Sequence, residues 1–421
     1  MRWADATDPA AAYARGLLAA HGIDAPVPDS EQPRSVAADW AESGAMALTG
    51  TPDGPPRLVD GAPATTVRGA LLALAALAGL AGLDPSGLPD HRVLSERAAY
   101  LALARRGRVS AGGATRLLDA ADGQVALTLS RPDDLEALPA LTTRDIPRTD
   151  PWPALARWAA TSSAAEIVER CALLGLAAGA VDPTLPITAA SSNALPLTPP
   201  PLSAGLLVVD LSALWAGPLC GHLLGLLGAQ LVTVESTRRP DPTRSVAPAF
   251  HRLLRTGATH VTVELDTAAG LAELADLLSR ADIVIESTRP RALHQFGIYP
   301  ADVVAAAKAC SWISITAYGR THNRVGYGDD VAAAAGLLGT GSVFAGDALA
   351  DPLTGVHAAV SALAGVLTGR CAVHDVAMYD VARAARTPVP QAAVVERAGV
   401  WHVDDGRALT VVRQPAPRPV S

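Results

Sequence analysis

Leu206-Leu207-Val208-Val209-Asp210-Leu211 is an apolar run closed by an acid, and Gln230-Leu231-Val232-Thr233-Val234-Glu235 repeats the form. Between them Gly217 to Leu227 reads as a helix. His260 to Leu265 is a third such run, residues 268–280 carry an amphipathic helical pattern, and Asp282 to Glu286 and Trp312 to Thr316 are further short apolar strands. Short strands rich in β-branched residues, alternating with helices, predict an α/β fold: a doubly wound, mostly parallel, Rossmann-like sheet. Ligands of such sheets bind beyond the carboxyl ends of the strands. Here those ends carry Asp210, Glu235, Glu286 and Thr316.

Outward from this half, Asp182 to Ser203 is rich in Pro, Ser and Thr and reads as a linker. The expected organisation is an N-terminal part over 1–182, a linker over 183–203 and the Rossmann-like part with a C-terminal tail over 204–421. The N-terminal part reads as a smaller α+β unit with few strands. Ala12 to His21, Val67 to Leu80 and Ala164 to Leu176 have helical patterns, and Gly123 to Leu129 a strand pattern. The halves echo each other. Ala64 to Gly79 lies without gaps over Ala350 to Gly365, and Leu17 to Asp24 resembles Leu223 to Gln230, in the same order. The N-terminal part therefore reads as a degenerate partial copy, with coincidence of an Ala-rich composition as the alternative.

With 421 residues, 49% hydrophobic and 18% charged, the chain can bury a large core. A net charge of -7 does not fit a general attraction to nucleic acid or anionic membrane. Cys171, Cys220, Cys310 and Cys371 are far apart and form no metal-ligand spacing, so neither a metal site nor a disulfide framework is expected. Free thiols and the absence of a signal-peptide pattern at Met1 to Asp5 fit a cytoplasmic protein. The apolar run Gly69 to Leu83 is short for a bilayer and reads as a core helix.

The stretch Gly346-Asp347-Ala348-Leu349-Ala350-Asp351-Pro352 sets Asp351 at the mouth of an Ala-rich helix expected from about Pro352 to Thr368. A carboxylate there has free backbone N–H groups and positive dipole charge beside it, which favour the ionised, nucleophilic form. The competing reading is a simple N-cap.

Four ordered blocks over about 204–386 resemble the class III CoA-transferases (the CaiB/BaiF family). They are Asp210 to Pro218 with the helix and strand after it, Ala281 to Pro290 ending at Phe296-Gly297-Ile298, Ser314 to Gly319 with Gly326 to Asp330, and Gly346 to Gly355, followed by His374 to Asp380. In the N-terminal part, Ala41 to Pro56 and Ala120 to Thr128 are similar to further pieces of that family. The resemblance implies an acyl-CoA transferase that moves CoA between carboxylic acids. Its nucleophile would be Asp351, passing through a mixed anhydride and an aspartyl-CoA thioester.

By matching position, the resemblance places CoA contacts at Trp215 and Ala216; Leu265, Asp266, Thr267 and Ala268; Ser287, Thr288 and Arg289; and Gly326, Tyr327, Gly328 and Asp329. Trp215 reads equally as core, Arg289 as a solvated charge, and Gly326 and Gly328 as turn residues. The resemblance implies no tightly bound cofactor: CoA or acyl-CoA and a carboxylic acid are the substrates, with no nucleic-acid or membrane partner. It implies a homodimer, or an internal pseudo-dimer built from the two copies. Several family cations are missing: Ser236, Thr256 to Thr259 and Gln295 stand in their places. Arg238 and Arg239 lie close by, and Arg244, Arg252, Arg255, Arg291 and Arg320 are possible substitutes. These losses leave a non-catalytic relative that binds an acyl-CoA or a partner as the alternative. A 2-methylacyl-CoA racemase ranks third, because the His expected beside the third block is absent and His322 lies outside the motif.

Overall fold

The computed structural model describes residues 6–28, 33–182, 205–289, 292–306, 311–388 and 390–418. The expected linker over 183–203 and Arg291 lie outside them. In the N-terminal part, helix α1 (Pro9–Ala20) starts with Pro at its first position, and the Asp8 side chain accepts the Ala11 N–H at 3.3 Å. Helices α2 (Val36–Glu42), α3 (Pro63–Ala81) and α4 (Glu96–Leu101) follow. Strands β1 (Thr115–Asp119), β2 (Gln124–Thr128) and β3 (Ala177–Val181) form an antiparallel sheet in the order β1-β2-β3. Helices α5 (Pro132–Thr142), α6 (Trp152–Ala159) and α7 (Ala164–Leu174) cover it around a core of Leu127, Leu138, Leu141, Leu155 and Ile167. Of these strands only β2 was expected. The small Ala177-Ala-Gly-Ala-Val181 run carries too little side chain to show a strand pattern.

The C-terminal part runs β4 (Leu207–Asp210), α8 (Ala216–Leu226), β5 (Gln230–Ser236), α9 (Thr243–Val246), α10 (Pro248–Leu254), β6 (Thr259–Val263), α11 (Ala268–Arg280), β7 (Ile283–Glu286), α12 (Pro300–Ala306) and β8 (Ser311–Thr316). It continues through α13 (Gly328–Ala334), the short pair β9 (Leu338–Gly339) and β10 (Val343–Phe344), α14 (Ala350–Leu367), β11 (Ala372–Ala377) and α15 (Met378–Ala384). Six strands pair in the order β11-β8-β7-β4-β5-β6, all parallel. The chain leaves β4 in one direction through β5 and β6, then crosses to build β7, β8 and β11 on the other side. The order therefore reverses between β4 and β7, the place where open α/β sheets bind ligands. A last antiparallel sheet, β12 (Ala393–Arg397), β13 (Val400–Asp404) and β14 (Leu409–Val411), lies near α2.

The helix with Asp351 begins at Ala350, two residues before the expected start. Pro352 fits inside the first turn because N–H groups there have no intrahelical acceptor. α3 and α14 are both long and apolar enough to span a bilayer by length and composition, yet 67% and 83% of those windows are buried inside the protein.

The sequence echo is also an echo in packing. Gly69 on α3 presses against α1: a Cβ there would lie 2.6 Å from the Ala10 carbonyl oxygen and 3.0 Å from Tyr13 Cβ. Gly355 on α14 presses against α8 in the same manner, 2.7 Å from the Ala216 oxygen and 3.0 Å from Leu219 Cβ. Each pair of equivalent residues falls in register in the two echoes. α3 and α14 then pack on each other, and a single core holds Leu18, Leu74 and Leu77 together with Leu219, Leu353 and Val360.

Candidate active site

A cleft of about 260 Å³ opens at the reversal point of the sheet. Ala213 and Leu214 after β4, Ser287, Thr288 and Arg289 after β7, and Gly326 and Tyr327 after β8 line it, and Asp351 of α14 reaches it. Leu214 has φ 70°, a left-handed conformation uncommon for a non-glycine residue and frequent at functional sites. Arg131, at the start of α5 in the N-terminal part, forms the facing wall with His322 and Arg324. A second cavity of about 380 Å³ at the ends of β5 and β6 adjoins the first through Ala213 and Thr288, which line both.

Asp351 is half-buried, in the first turn of α14. It does not cap that helix; Leu349 is the N-cap and makes no side-chain cap bond. The preceding Ala348 has φ 43°, and its N–H donates to Asp329 Oδ1 at 2.8 Å. The Gly328 N–H donates to the Asp351 carboxylate. Gly328 has no room for a side chain: a Cβ would lie 2.5 Å from the Ala348 carbonyl carbon, and it would also crowd the Asp351 carboxylate.

The charge state departs from the expected freely ionised carboxylate. Burial pushes the Asp351 pKa up, Arg97 pulls it down, and the Asp329 and Asp347 charges push it up again, to about 7. Asp329 is raised to about 6, by burial first and Asp347 next. Asp330, buried and accepting from Thr128 Oγ1 and the Tyr327 N–H at 2.9 Å each, is raised to about 7 by burial. A helix start alone would lower such values, so desolvation outweighs the dipole here.

Among the expected contact residues, Ala216, Ser287, Thr288, Arg289, Gly326, Tyr327 and Asp351 meet in the cleft, and Leu265 and Asp266 line the second cavity. The others take different places. Trp215 is 2% exposed and packs edge-on against Phe250, so its core reading holds. Thr267 caps α11 by accepting the Gly270 N–H at 3.0 Å, and Ala268 is the first residue of that helix. Gly328 and Asp329 lie beneath the cleft and hold the Asp351 turn.

The acids at the strand ends are bound to neighbours. Asp210 pairs with Arg255, Glu235 with Arg244 at 2.8 Å, and Glu286 with Arg320 at 3.1 Å, which engages three of the candidate substitute cations. Thr316 donates to Asp375 at 2.9 Å. Arg238 and Arg239 line the second cavity. Sequence reading missed Arg131, Arg324 and the cleft position of His322, together with Arg97 of α4. Arg97 grips Asp347 through Nε at 2.9 Å and Nη2 at 2.6 Å. None of these residues lies in a block that resembles the family's catalytic segment. Among the described residues no group of His, Cys, Asp and Glu has metal-binding geometry.

Residues 204–402 match the family model described as CoA-transferase family III. A succinate–glutarate CoA-transferase of Agrobacterium fabrum is 29% identical over 214 residues, 44% of this chain and 53% of that protein. A succinyl-CoA:glutarate CoA-transferase of Mus musculus is 29% identical over 182 residues, 39% of this chain and 41% of that protein. The chain thus spans about half the length of the curated relatives it matches. Among solved structures, a CaiB/BaiF family protein from Brucella suis is 26% identical, with a TM-score of 0.39, covering 42% of this chain and 53% of that one. The C-terminal half of the chain is thus similar to CoA-transferase family III over residues 204–402.

Proposed function

We propose that the chain is an acyl-CoA transferase that moves CoA between carboxylic acids, with Asp351 as its nucleophile. One observation carries the reading: Asp351 reaches the same cleft as Ser287, Thr288, Arg289, Gly326 and Tyr327, at the point where strand order reverses. The adjoining cavity, with Leu265, Asp266, Arg238 and Arg239, is placed to take the nucleotide end of CoA, while the pantetheine arm passes Ala213 and Thr288 toward Asp351. Arg239 offers charge for its phosphates, as does Arg238, which is ion-paired with Asp266 at 2.5 Å.

In this reading Asp351 attacks the thioester carbonyl carbon, the C–S bond breaks, and CoA leaves as the thiolate. The thiolate then attacks the aspartyl carbonyl of the mixed anhydride, releasing the donor carboxylate and leaving aspartyl-CoA. An acceptor carboxylate attacks that thioester and expels the thiolate, which takes the acceptor acyl group and returns Asp351 to its free form. No proton is consumed over the cycle, so the carboxylate form of Asp351 is the only protonation requirement at that residue.

The matching α1–α3 and α8–α14 packing supports an internal pseudo-dimer, in which the N-terminal part supplies the wall that a second copy would otherwise provide. A monomeric mass by light scattering, with activity retained, checks this; a dimer sharing the cleft refutes it. A binding-only relative is favoured by the pairing of Arg244, Arg255 and Arg320 with acids. Incubation with succinyl-CoA and other acyl-CoA donors, followed by hydroxylamine or borohydride and peptide mass spectrometry, separates the two. Modification at Asp351 supports transfer. Calorimetric CoA binding without modification or exchange supports the binding reading.

A further inference from the structure

Arg97 stands out because it comes from the N-terminal part yet is built into the Asp351 turn. Its guanidinium makes a two-point ion pair with Asp347, whose side chain is fully buried, and its planar face lies 5.2 Å from the centre of the Trp215 ring. Three carboxylates, Asp329, Asp347 and Asp351, gather around this one cation. Burial works against the Arg97 charge, and the three acids outweigh it and raise its pKa. Arg131, Arg289, Arg324 and His322 line the cleft itself. Arg131 is engaged by Asp134 and the Gly175 carbonyl at 2.7 Å each, and Arg324 by the Ala178 carbonyl at 2.8 Å and the Tyr318 ring.

We infer that Arg97 is a positioning residue: clamped to Asp347 and stacked on Trp215, it fixes the Ala348 to Asp351 turn and supplies the positive charge opposite which the Asp351 carboxylate forms. The inference rests on the reading of Asp351 as nucleophile and adds that the N-terminal part sets the reactivity of an acid in the C-terminal part. Without this cation the neighbouring acids would disfavour the Asp351 charge unopposed, because adjacent buried charges of one sign repel. Asp351 would then be lost to chemistry.

The test compares the full-length chain with Arg97→Met and Arg97→Lys. Carbodiimide capture of Asp351 across mildly acidic to alkaline pH, read by peptide mass spectrometry, reports its protonation whether or not the chain transfers CoA. The expected result is a half-point raised by about one pH unit or more in Arg97→Met, with partial return in Arg97→Lys. Transfer at neutral pH falls about fivefold or more and recovers at higher pH, with KM for the acyl-CoA little changed. A folded Arg97→Met chain with the parent half-point overturns the inference. Should that variant fail to fold, Arg97→Gln keeps a polar side chain and removes the charge; the half-point then rises, and an unchanged value overturns the inference equally. Absence of any acyl-CoA adduct on Asp351 rejects the nucleophile reading instead, and the labelling data remain readable.

Discussion

Gly328→Ala adds one methyl group at the tightest point of the site. The new Cβ would lie 2.5 Å from the Ala348 carbonyl carbon and would also crowd Asp351 Oδ2. Ordinary carbon contacts begin at about 3.5 Å, so relief requires a shift of about an ångström. Backbone must supply it, because Ala348 is itself held through its N–H by buried Asp329 at 2.8 Å. Overpacking of this kind costs about 1–3 kcal/mol of stability, and an ångström of misplacement costs a reaction about a hundredfold in rate. Chemical denaturation measures the first quantity, and exchange of CoA between succinyl-CoA and a carboxylate acceptor measures the second. The expected variant is folded, destabilised in that range and slow in exchange, with KM for the CoA donor changed far less than kcat. Parent stability together with parent exchange would refute the claim that Gly328 and Asp351 share one packed unit.

The raised pKa values make a pH prediction. Between an unfolded value near 3.9 and about 7, folded Asp351 keeps a proton that the unfolded chain has released, so its contribution to stability falls as pH rises through that window. Asp351→Asn abolishes that dependence, and denaturation curves should show the variant gaining on the parent from pH 4 to pH 8, by up to about 4 kcal/mol. Exchange activity should climb with pH through about 7 as the carboxylate forms, and an activity that is flat from pH 5 to pH 8 contradicts the assignment. Gly179→Ala would place a Cβ 2.6 Å from Ala334 Cβ and 2.9 Å from Tyr318 Oη, forcing the antiparallel sheet off α13, and KM should rise as the Arg131 wall retreats. Cys171 and Cys220 are buried with raised thiol pKa values, so Ellman's reagent should leave both unlabelled in the native chain.

The parallel sheet was legible because buried strands such as Ile283–Glu286 are continuous apolar runs, and short runs of that kind alternate with helices. Asp351, Ser287 to Arg289 and Gly326-Tyr327 were legible because they sit on loops whose order along the chain follows the order of the strands. Residues brought in by tertiary packing were not. Arg97 and Arg131 lie in segments whose local pattern reports only their own helices, and nothing in sequence spacing ties residue 97 to residue 347. Sequence left Trp215 open between core and contact for a related reason: its neighbour Ala216 lines the cleft, while its own ring packs in the core against Phe250. The charge of Asp351 departs from the sequence expectation because a helix start is visible in sequence, whereas the burial that pushes its pKa up is set by tertiary packing.

The echo between α3 and α14 sets two matching positions in contrasting surroundings. Thr65 occupies the place on α3 that Asp351 holds on α14, and its hydroxyl donates to Asp39 at 2.6 Å in a fully enclosed setting. The sealed position holds a structural plug, while the open one carries an acid. Because both parts sit on one continuous polypeptide, the wall contributed by Arg131 cannot drift away on dilution.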